Sequence, residues 1–224
     1  RESALVAYFP LDVELNKKGA PAYAESVRKV PFGRSVQNEA SAEHLDKNIW
    51  VVDVRDEKKY KRGHLKNSVN IMDGNKFETW LGSIIEPNEP FYLAGDDESQ
   101  LRRLVERAAS IGYEPQIREA FVLKYAQAEE PVLNVDQFTA SQEDYTIIDV
   151  RNPGEVKKGK IFPGSLAIPL AELRYRINEI PKDNPVAVHC AGGYRSATAS
   201  SLIASSIGTE TPVFDIGEAI KSFQ

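Results

Sequence analysis

Ile147-Ile148-Asp149-Val150-Arg151 decides the fold, because the stretch has a double. Val51-Val52-Asp53-Val54-Arg55 stands 96 positions before it. Ser110-Ile111-Gly112 and Ser206-Ile207-Gly208 keep the same offset, as do Gly63 and Gly159. The stretches that follow those glycines are similar, GHLKNS over 63–68 and GKIFPGS over 159–165, the second longer by one residue. Units of roughly 90 residues are too long for solenoid repeats and read as tandem domains.

Each unit alternates strands with helices. Residues 49–54 and 146–150 are short, β-branched, nearly continuous apolar runs. Such runs suit strands buried on both faces of a mostly parallel sheet. Residues 90–93 and 185–189 are second runs of that kind, each followed by a polar or glycine-rich turn and a helical stretch, 99–111 and 195–207. Gly112 and Gly208 stand where a helix stop belongs. The pattern predicts α/β architecture, two three-layer α/β/α domains with a mostly parallel central sheet. We place the first domain at 36–125 and the second at 132–224, with 126–131 (AQAEEP) as the linker and 133–138 opening the second unit. Residues 1–35 repeat nothing, carry Pro10, Pro21 and Pro31, and read as an extended lead-in.

Composition narrows the function. The 224 residues are 42% hydrophobic and 27% charged, ordinary for a globular protein. A net charge of −5 argues against nucleic-acid partners and polybasic membrane contacts. No apolar run approaches the ~18 residues of a membrane span, and no signal peptide opens the chain. Arg1 as the first residue and Met72 as the sole methionine suggest a fragment or processed product. The single cysteine, Cys190, excludes an intrachain disulfide framework and any multi-cysteine zinc site. His44, His64 and His189 lack metal-ligand spacing, so no metal is expected in this chain. A reducing, cytoplasmic setting fits best.

The chemistry concentrates in Val188-His189-Cys190-Ala191-Gly192-Gly193-Tyr194-Arg195-Ser196. Cys190 falls at the C-terminal end of a buried strand, the edge of an α/β sheet where ligands bind. Gly192 and Gly193 let the backbone curl so that successive N–H groups converge into an anion-binding nest at a helix N-terminus. Such a nest favours the thiolate, the nucleophilic form of cysteine. Arg195 adds a fixed positive charge that can fork onto an oxyanion. The bland alternative is a small buried cysteine with no chemistry.

Here the sequence resembles the rhodanese family of sulfurtransferases. The resemblance rests on Asp149-Val150-Arg151, on GKIFPGSLAIP over 159–169, and on the loop from Cys190 to Arg195, in family order. It implies that Cys190 is a nucleophile that carries sulfane sulfur as a persulfide. The donor would be thiosulfate or a persulfide such as glutathione persulfide, and the acceptor a thiophile such as cyanide, glutathione or a protein thiol. It further implies that backbone N–H groups of Ala191, Gly192, Gly193, Tyr194 and Arg195 cradle the persulfide, that Arg195 helps bind an anionic donor, and that no cofactor is needed in this chain. Lys160 departs from the histidine often found after that glycine. A cysteine-dependent phosphatase or arsenate reductase is the competing enzyme class. Its loops need one more residue than the four between Cys190 and Arg195. A pair of non-catalytic interaction modules is the third reading.

The first unit resembles the same family through Asp53-Val54-Arg55 and GHLKNSVNI over 63–71, but as an inactive copy. Ala94 replaces the cysteine, and Asp96, Asp97 and Glu98 crowd the loop, where they would repel an anion. His44 reads as exposed, His64 as a structural hydrogen-bonding residue, and His189 as a core side chain on the face opposite Cys190. Tyr194 is placed to shape the pocket mouth. Arg174 and Arg176, on a helix over 170–180, read as solvated surface charge. Residues 8–21 (YFPLDVELNKKGAP) resemble the tail of metallo-β-lactamase-like persulfide dioxygenases. That resemblance implies a preceding dioxygenase-like domain holding the iron site, and a role in sulfide and persulfide detoxification.

Overall fold

The computed structural model describes residues 23–224. The chain divides into two compact units, Arg1–Glu129 and Glu130–Gln224. In the first, α1 (Tyr23–Arg28) and α2 (Glu39–Ala42) precede β1 (Trp50–Asp53), α3 (Glu57–Arg62), β2 (Ser68–Asn70), α4 (Phe77–Ile84), β3 (Phe91–Gly95), α5 (Glu98–Ala109) and β4 (Ile117–Val122). In the second, α6 (Val135–Ala140) precedes β5 (Thr146–Asp149), α7 (Pro153–Lys158), β6 (Leu166–Ala167), α8 (Leu170–Arg176), β7 (Val186–His189), α9 (Tyr194–Ile207) and β8 (Val213–Asp215). A short 3-10 helix, Gly217–Phe223, follows.

Each sheet has four parallel strands in the same order, β2-β1-β3-β4 in the first unit and β6-β5-β7-β8 in the second. The registers agree too, with Val52 opposite Leu93 and Ile148 opposite Val188. The central strands are buried on both faces, which is why they read as continuous apolar runs rather than alternating ones. In the first unit Val51, Tyr92, Ala94 and Phe121 form one face with Ala42 and Leu65. Helix α5 packs against β3 and β4 through buried Leu101, Leu104, Val105 and Ala108. In the second unit Ile147 and Ala187 meet Phe138, Phe162, Ile216 and Ile220. The Phe138 ring stands edge-on to those of Tyr145, Phe162 and Phe223 at 5.1, 5.6 and 5.7 Å. Helix α9 packs against β7 and β8.

The repeated Asp-Val-Arg has one structural cause. Arg55 Nε donates to Asp53 Oδ1 at 2.9 Å and its Nη2 donates to Asp53 Oδ2 at 2.6 Å and to the Gly63 carbonyl at 2.8 Å. Arg151 makes the same bonds to Asp149 and to the Gly159 carbonyl, at 2.9, 2.7 and 3.1 Å. Both aspartates are fully buried, so each charge needs its partner in place. The motif thus ties the end of the first sheet strand of each unit to the turn that starts the next.

Two expectations change. Residues 23–28 of the lead-in are helical rather than extended, whereas the stretch after them runs along β4, with Phe32 and Val36 bridging to Ala120 and Leu123. Gly33 N donates to the Ala120 carbonyl at 2.9 Å and Ala120 N to the Pro31 carbonyl at 2.8 Å. This segment covers the outer edge of β4, which would otherwise offer unpaired backbone groups. Residues 8–21 lie outside the described residues. The start of the expected linker is also tied down, with His64 N donating to the Ala128 carbonyl at 3.0 Å. Gly112 and Gly208 take positive φ, +72° and +85°, just beyond α5 and α9. Among the described residues, no helix is long and apolar enough to cross a membrane.

Candidate active site

Cys190 directly follows β7, and helix α9 starts four residues later. His189 and Cys190 point to opposite faces of the sheet because side chains alternate along a strand. His189 is fully buried, edge-on to Phe162 at 5.0 Å, with Nε2 3.7 Å from Asp149 Oδ2. Burial pushes its pKa down, against the pull of the Asp149 charge. It is a core side chain.

The sulfur of Cys190 is enclosed, the residue being 2% exposed. Gly193 N–H donates to Sγ at 3.1 Å. The Ser196 hydroxyl lies 3.7 Å from Sγ and donates to the Gly193 carbonyl at 2.9 Å. The two loop glycines differ. Gly193 sits at φ +99°, and a Cβ there would lie 3.2 Å from Gly217 C and 3.3 Å from Glu218 N. Gly192 has ordinary φ and open space where a Cβ would go. The curl expected of both glycines is therefore the work of Gly193. Gly192→Ala is expected to change stability by less than about 0.5 kcal/mol, measured as a urea midpoint. A larger loss would mean that Gly192 is needed as well.

Arg195 departs from expectation. Its fork is already engaged: Nη1 donates to Glu155 Oε2 at 2.6 Å and Nη2 to Glu155 Oε1 at 2.8 Å. The hydrogen bonds to Glu155, and to a lesser degree the nearby Cys190 sulfur, raise the arginine pKa. Arg195 is thus a charge held beside the sulfur, with its bidentate face turned to a carboxylate. Tyr194 is the first residue of α9 and is 65% exposed. The Ala191 carbonyl accepts a hydrogen bond from Gln224 Nε2 at 2.9 Å, so the last residue holds the loop.

Glu155, Ser196 and Gln224 were not found by reading the sequence. The signal for Glu155 was present: Asn152-Pro153-Gly154-Glu155 is a capping-box pattern, and Glu155 Oε2 accepts from Asn152 N at 3.0 Å. Hydrogen bonds from Arg195 hold the Glu155 pKa down at about 2, against an ordinary value of 4.5. A depressed carboxylate pKa stabilises the fold above the unfolded value, and the benefit is lost as pH falls through the folded one. The stability gap between wild type and Glu155→Gln should therefore hold near neutral pH and close as pH drops from about 4.5 toward 2. The Glu155 side chain is 35% exposed, so the gap is small and screened by salt. A gap unchanged in acid would show that the charge of Glu155 is irrelevant.

The same positions in the first unit carry opposite features. Ala94 aligns with Cys190, and Asp97 with Gly193. Asp97 is the N-cap of α5: its Oδ1 accepts from Gln100 N at 2.9 Å and from Ser99 Oγ at 2.6 Å. Helix α9, by contrast, starts at Gly193 with no side-chain cap. Lys59 aligns with Glu155, and its Nζ meets Asp96 Oδ2 at 2.8 Å. At that position the first unit thus carries the opposite charge, paired with Asp96, which aligns with Gly192 rather than with Arg195. Glu98 pairs with Arg102. The three loop carboxylates are structural partners rather than a free cluster.

The other marked residues are also placed. His64 stacks on Tyr60 at 4.2 Å and its Nδ1 lies 3.0 Å from the Tyr60 carbonyl. At the aligned position Lys160 Nζ donates to the Ser165 carbonyl at 2.6 Å. His44 is exposed, with Nε2 3.2 Å from Glu119. Arg176 pairs with Glu172 at 2.8 Å and Glu179 at 2.7 Å, and α8 ends there in a 3-10 turn, Ile177–Glu179.

Comparison with known proteins agrees with this duplicated arrangement. The rhodanese-like domain family model matches residues 36–124 and again 134–224. A protein named "Sulfurtransferase" from Allochromatium vinosum is 36% identical over 70 residues, covering 31% of this chain and 64% of that protein. The uncharacterized protein YqhL of Bacillus subtilis is 36% identical over 86 residues, 38% of this chain and 68% of that one. The chain therefore spans just under two thirds of the first relative's length. Among solved structures, a rhodanese-related protein from Thermoplasma volcanium is 30% identical at a TM-score of 0.35, covering 43% of this chain and 90% of that one.

Proposed function

The chain belongs to the rhodanese-like domain family, and from that premise we propose that it is a sulfurtransferase whose sulfur is carried on Cys190 of the second unit. The observation that carries this reading is the Gly193 N–H directed at Sγ from an uncapped helix N-terminus, with the Arg195 charge beside it. These groups stabilise negative charge on sulfur, first as thiolate and then as persulfide.

The reaction has two displacements. The Cys190 thiolate attacks the outer sulfur of thiosulfate, the new S–S bond forms on Cys190, and the old one breaks with its electron pair leaving on sulfite. An acceptor thiolate then attacks the terminal sulfur of the Cys190 persulfide, forming the acceptor persulfide and releasing the Cys190 thiolate. With a persulfide donor the leaving group is that donor's thiolate. No metal or cofactor takes part. Because Cys190 is enclosed, small donors that reach a narrow site are favoured.

The test is mass spectrometry of the intact protein after thiosulfate or polysulfide treatment. One added sulfur on Cys190, removed by cyanide or glutathione, is expected. No added sulfur would overturn the assignment, and turnover of an aryl phosphate instead would favour the phosphatase class.

The first unit serves as a non-catalytic partner domain. Its helix N-terminus is already occupied by the Asp97 carboxylate, and Ser99 stands where Arg195 does in the second unit. Ala94→Cys in a Cys190→Ser background is expected to show no sulfur transfer. Activity there would contradict the claim that this loop is incompetent. The resemblance of residues 8–21 supports placing the pair after a metallo-β-lactamase-like domain in cytoplasmic sulfide and persulfide detoxification.

A further inference from the structure

The loop around the sulfur carries no charged side chain before Arg195: residues 190–194 read Cys-Ala-Gly-Gly-Tyr. Positive charge reaches it from Arg195 and, beyond that, from Arg151, which lies close enough to feel the Arg195 charge. Both guanidinium groups are engaged. Arg151 forks onto Asp149 and also holds the Gly159 carbonyl. Arg195 forks onto both oxygens of Glu155 at 2.6 and 2.8 Å, and the Cys190 sulfur is the other group acting on its charge. Glu155 stays ionised through the neutral range, because that fork holds its pKa down at about 2. The two pairs carry no net charge, and neither arginine presents a free fork to an incoming anion.

Two classes of sulfur donor meet this arrangement differently. In thiosulfate the negative charges sit next to the sulfur to be transferred. Attack by the Cys190 thiolate brings like charges together, and a guanidinium already committed to Glu155 does little to offset them. In an organic persulfide, R–S–SH, the outer sulfur carries its proton and the donor's own charges lie several bonds away. The thiolate attacks that outer sulfur and the new S–S bond forms on Cys190, with the proton still on the outer sulfur. The old S–S bond breaks with its electron pair leaving on the donor thiolate.

We propose that Glu155, by occupying Arg195, selects organic persulfides over thiosulfate as the donor to Cys190. Glu155 touches no reacting atom; it is a positioning residue that acts through Arg195. The inference rests on the sulfur-transfer reading and narrows it to one donor class.

The test compares the rates at which thiosulfate and glutathione persulfide load sulfur onto Cys190 of the full chain, read by intact-protein mass spectrometry. Glu155→Gln should raise the ratio of the thiosulfate rate to the persulfide rate by about tenfold or more, the scale on which a matched charge changes association. A purely structural role for Glu155 would lower both rates together and leave the ratio unchanged, which would overturn the proposal. In Glu155→Gln/Arg195→Gln the gain should disappear, because it works through the released arginine. A gain that survives there would also overturn it. The wild type gives a reading that needs no variant to fold. Raising the ionic strength should not slow its loading by thiosulfate, since no unmatched cation draws the dianion in. Slowing by salt would contradict the proposal. Loading by neither donor would remove the sulfur-transfer reading itself, whereas loading at a ratio that Glu155→Gln leaves unchanged removes only the donor preference.

Discussion

Cys190→Ser is expected to lower sulfur transfer by at least about a thousandfold while leaving the protein folded. Serine is close to isosteric, and its oxygen can still accept from Gly193 N–H, so the loop keeps its internal bond. What it loses is the nucleophile: a hydroxyl at its ordinary acidity is hardly ionised, and among the described residues no base is hydrogen-bonded to it. His189 cannot serve, since it lies on the opposite face of the sheet in the core. Removal of a nucleophile costs several orders of magnitude elsewhere in enzymology. The checks are a thiosulfate-dependent assay and a thermal melt. Retained activity with an unchanged melt would sink the sulfurtransferase assignment.

Gly193→Ala is expected to cost the second unit about 2 kcal/mol, or roughly 10 °C in its melting midpoint, and most of its activity. Two effects act together. At φ +99° an alanine is strained, and its Cβ would press on the backbone of Gly217 and Glu218. Backbone cannot swing aside as a flexible side chain can, so the loop must shift. The shift carries Gly193 N–H away from Sγ, the contact that holds charge on sulfur. Melting Gly192→Ala alongside isolates this effect, because that position has neither constraint. Equal behaviour of the two variants would show that the loop's shape does not depend on Gly193.

Much of this arrangement was legible in the sequence, for identifiable reasons. The β1, β3, β5 and β7 strands announced themselves because burial on both faces leaves an unbroken apolar run. The outer strands did not. In β4, Arg118 and Glu119 interrupt Ile117-Arg118-Glu119-Ala120-Phe121-Val122. The β8 strand is only three residues long. Their pairing is set by neighbours, not by their own pattern. The position of Cys190 followed from the strand end and the glycines. The engagement of Arg195 did not, because Glu155 lies 40 residues earlier and meets it only in the folded unit. The helix of residues 23–28 was hidden by the prolines around it, which made the whole lead-in read as extended.

The different ion pairs beside the two loops bear on what the first loop would need to carry sulfur. Lys59 pairs with Asp96 and Glu155 pairs with Arg195, so the aligned positions 59 and 155 carry opposite charge with partners from different loop positions. A cysteine placed at Ala94 alone would enter a loop whose helix N-terminus is already taken by the Asp97 carboxylate, so no gain of function is expected from that one change. The pair and the cap lie at the surface, so changing either singly costs little stability. A working sulfur loop in the first unit is therefore expected to need several changes together, a cysteine at Ala94, release of the Asp97 cap and an arginine at Ser99. Under the proposed sulfur-transfer reading, the chemistry rests on the second copy alone, and the first is open to change at this loop without loss of that activity.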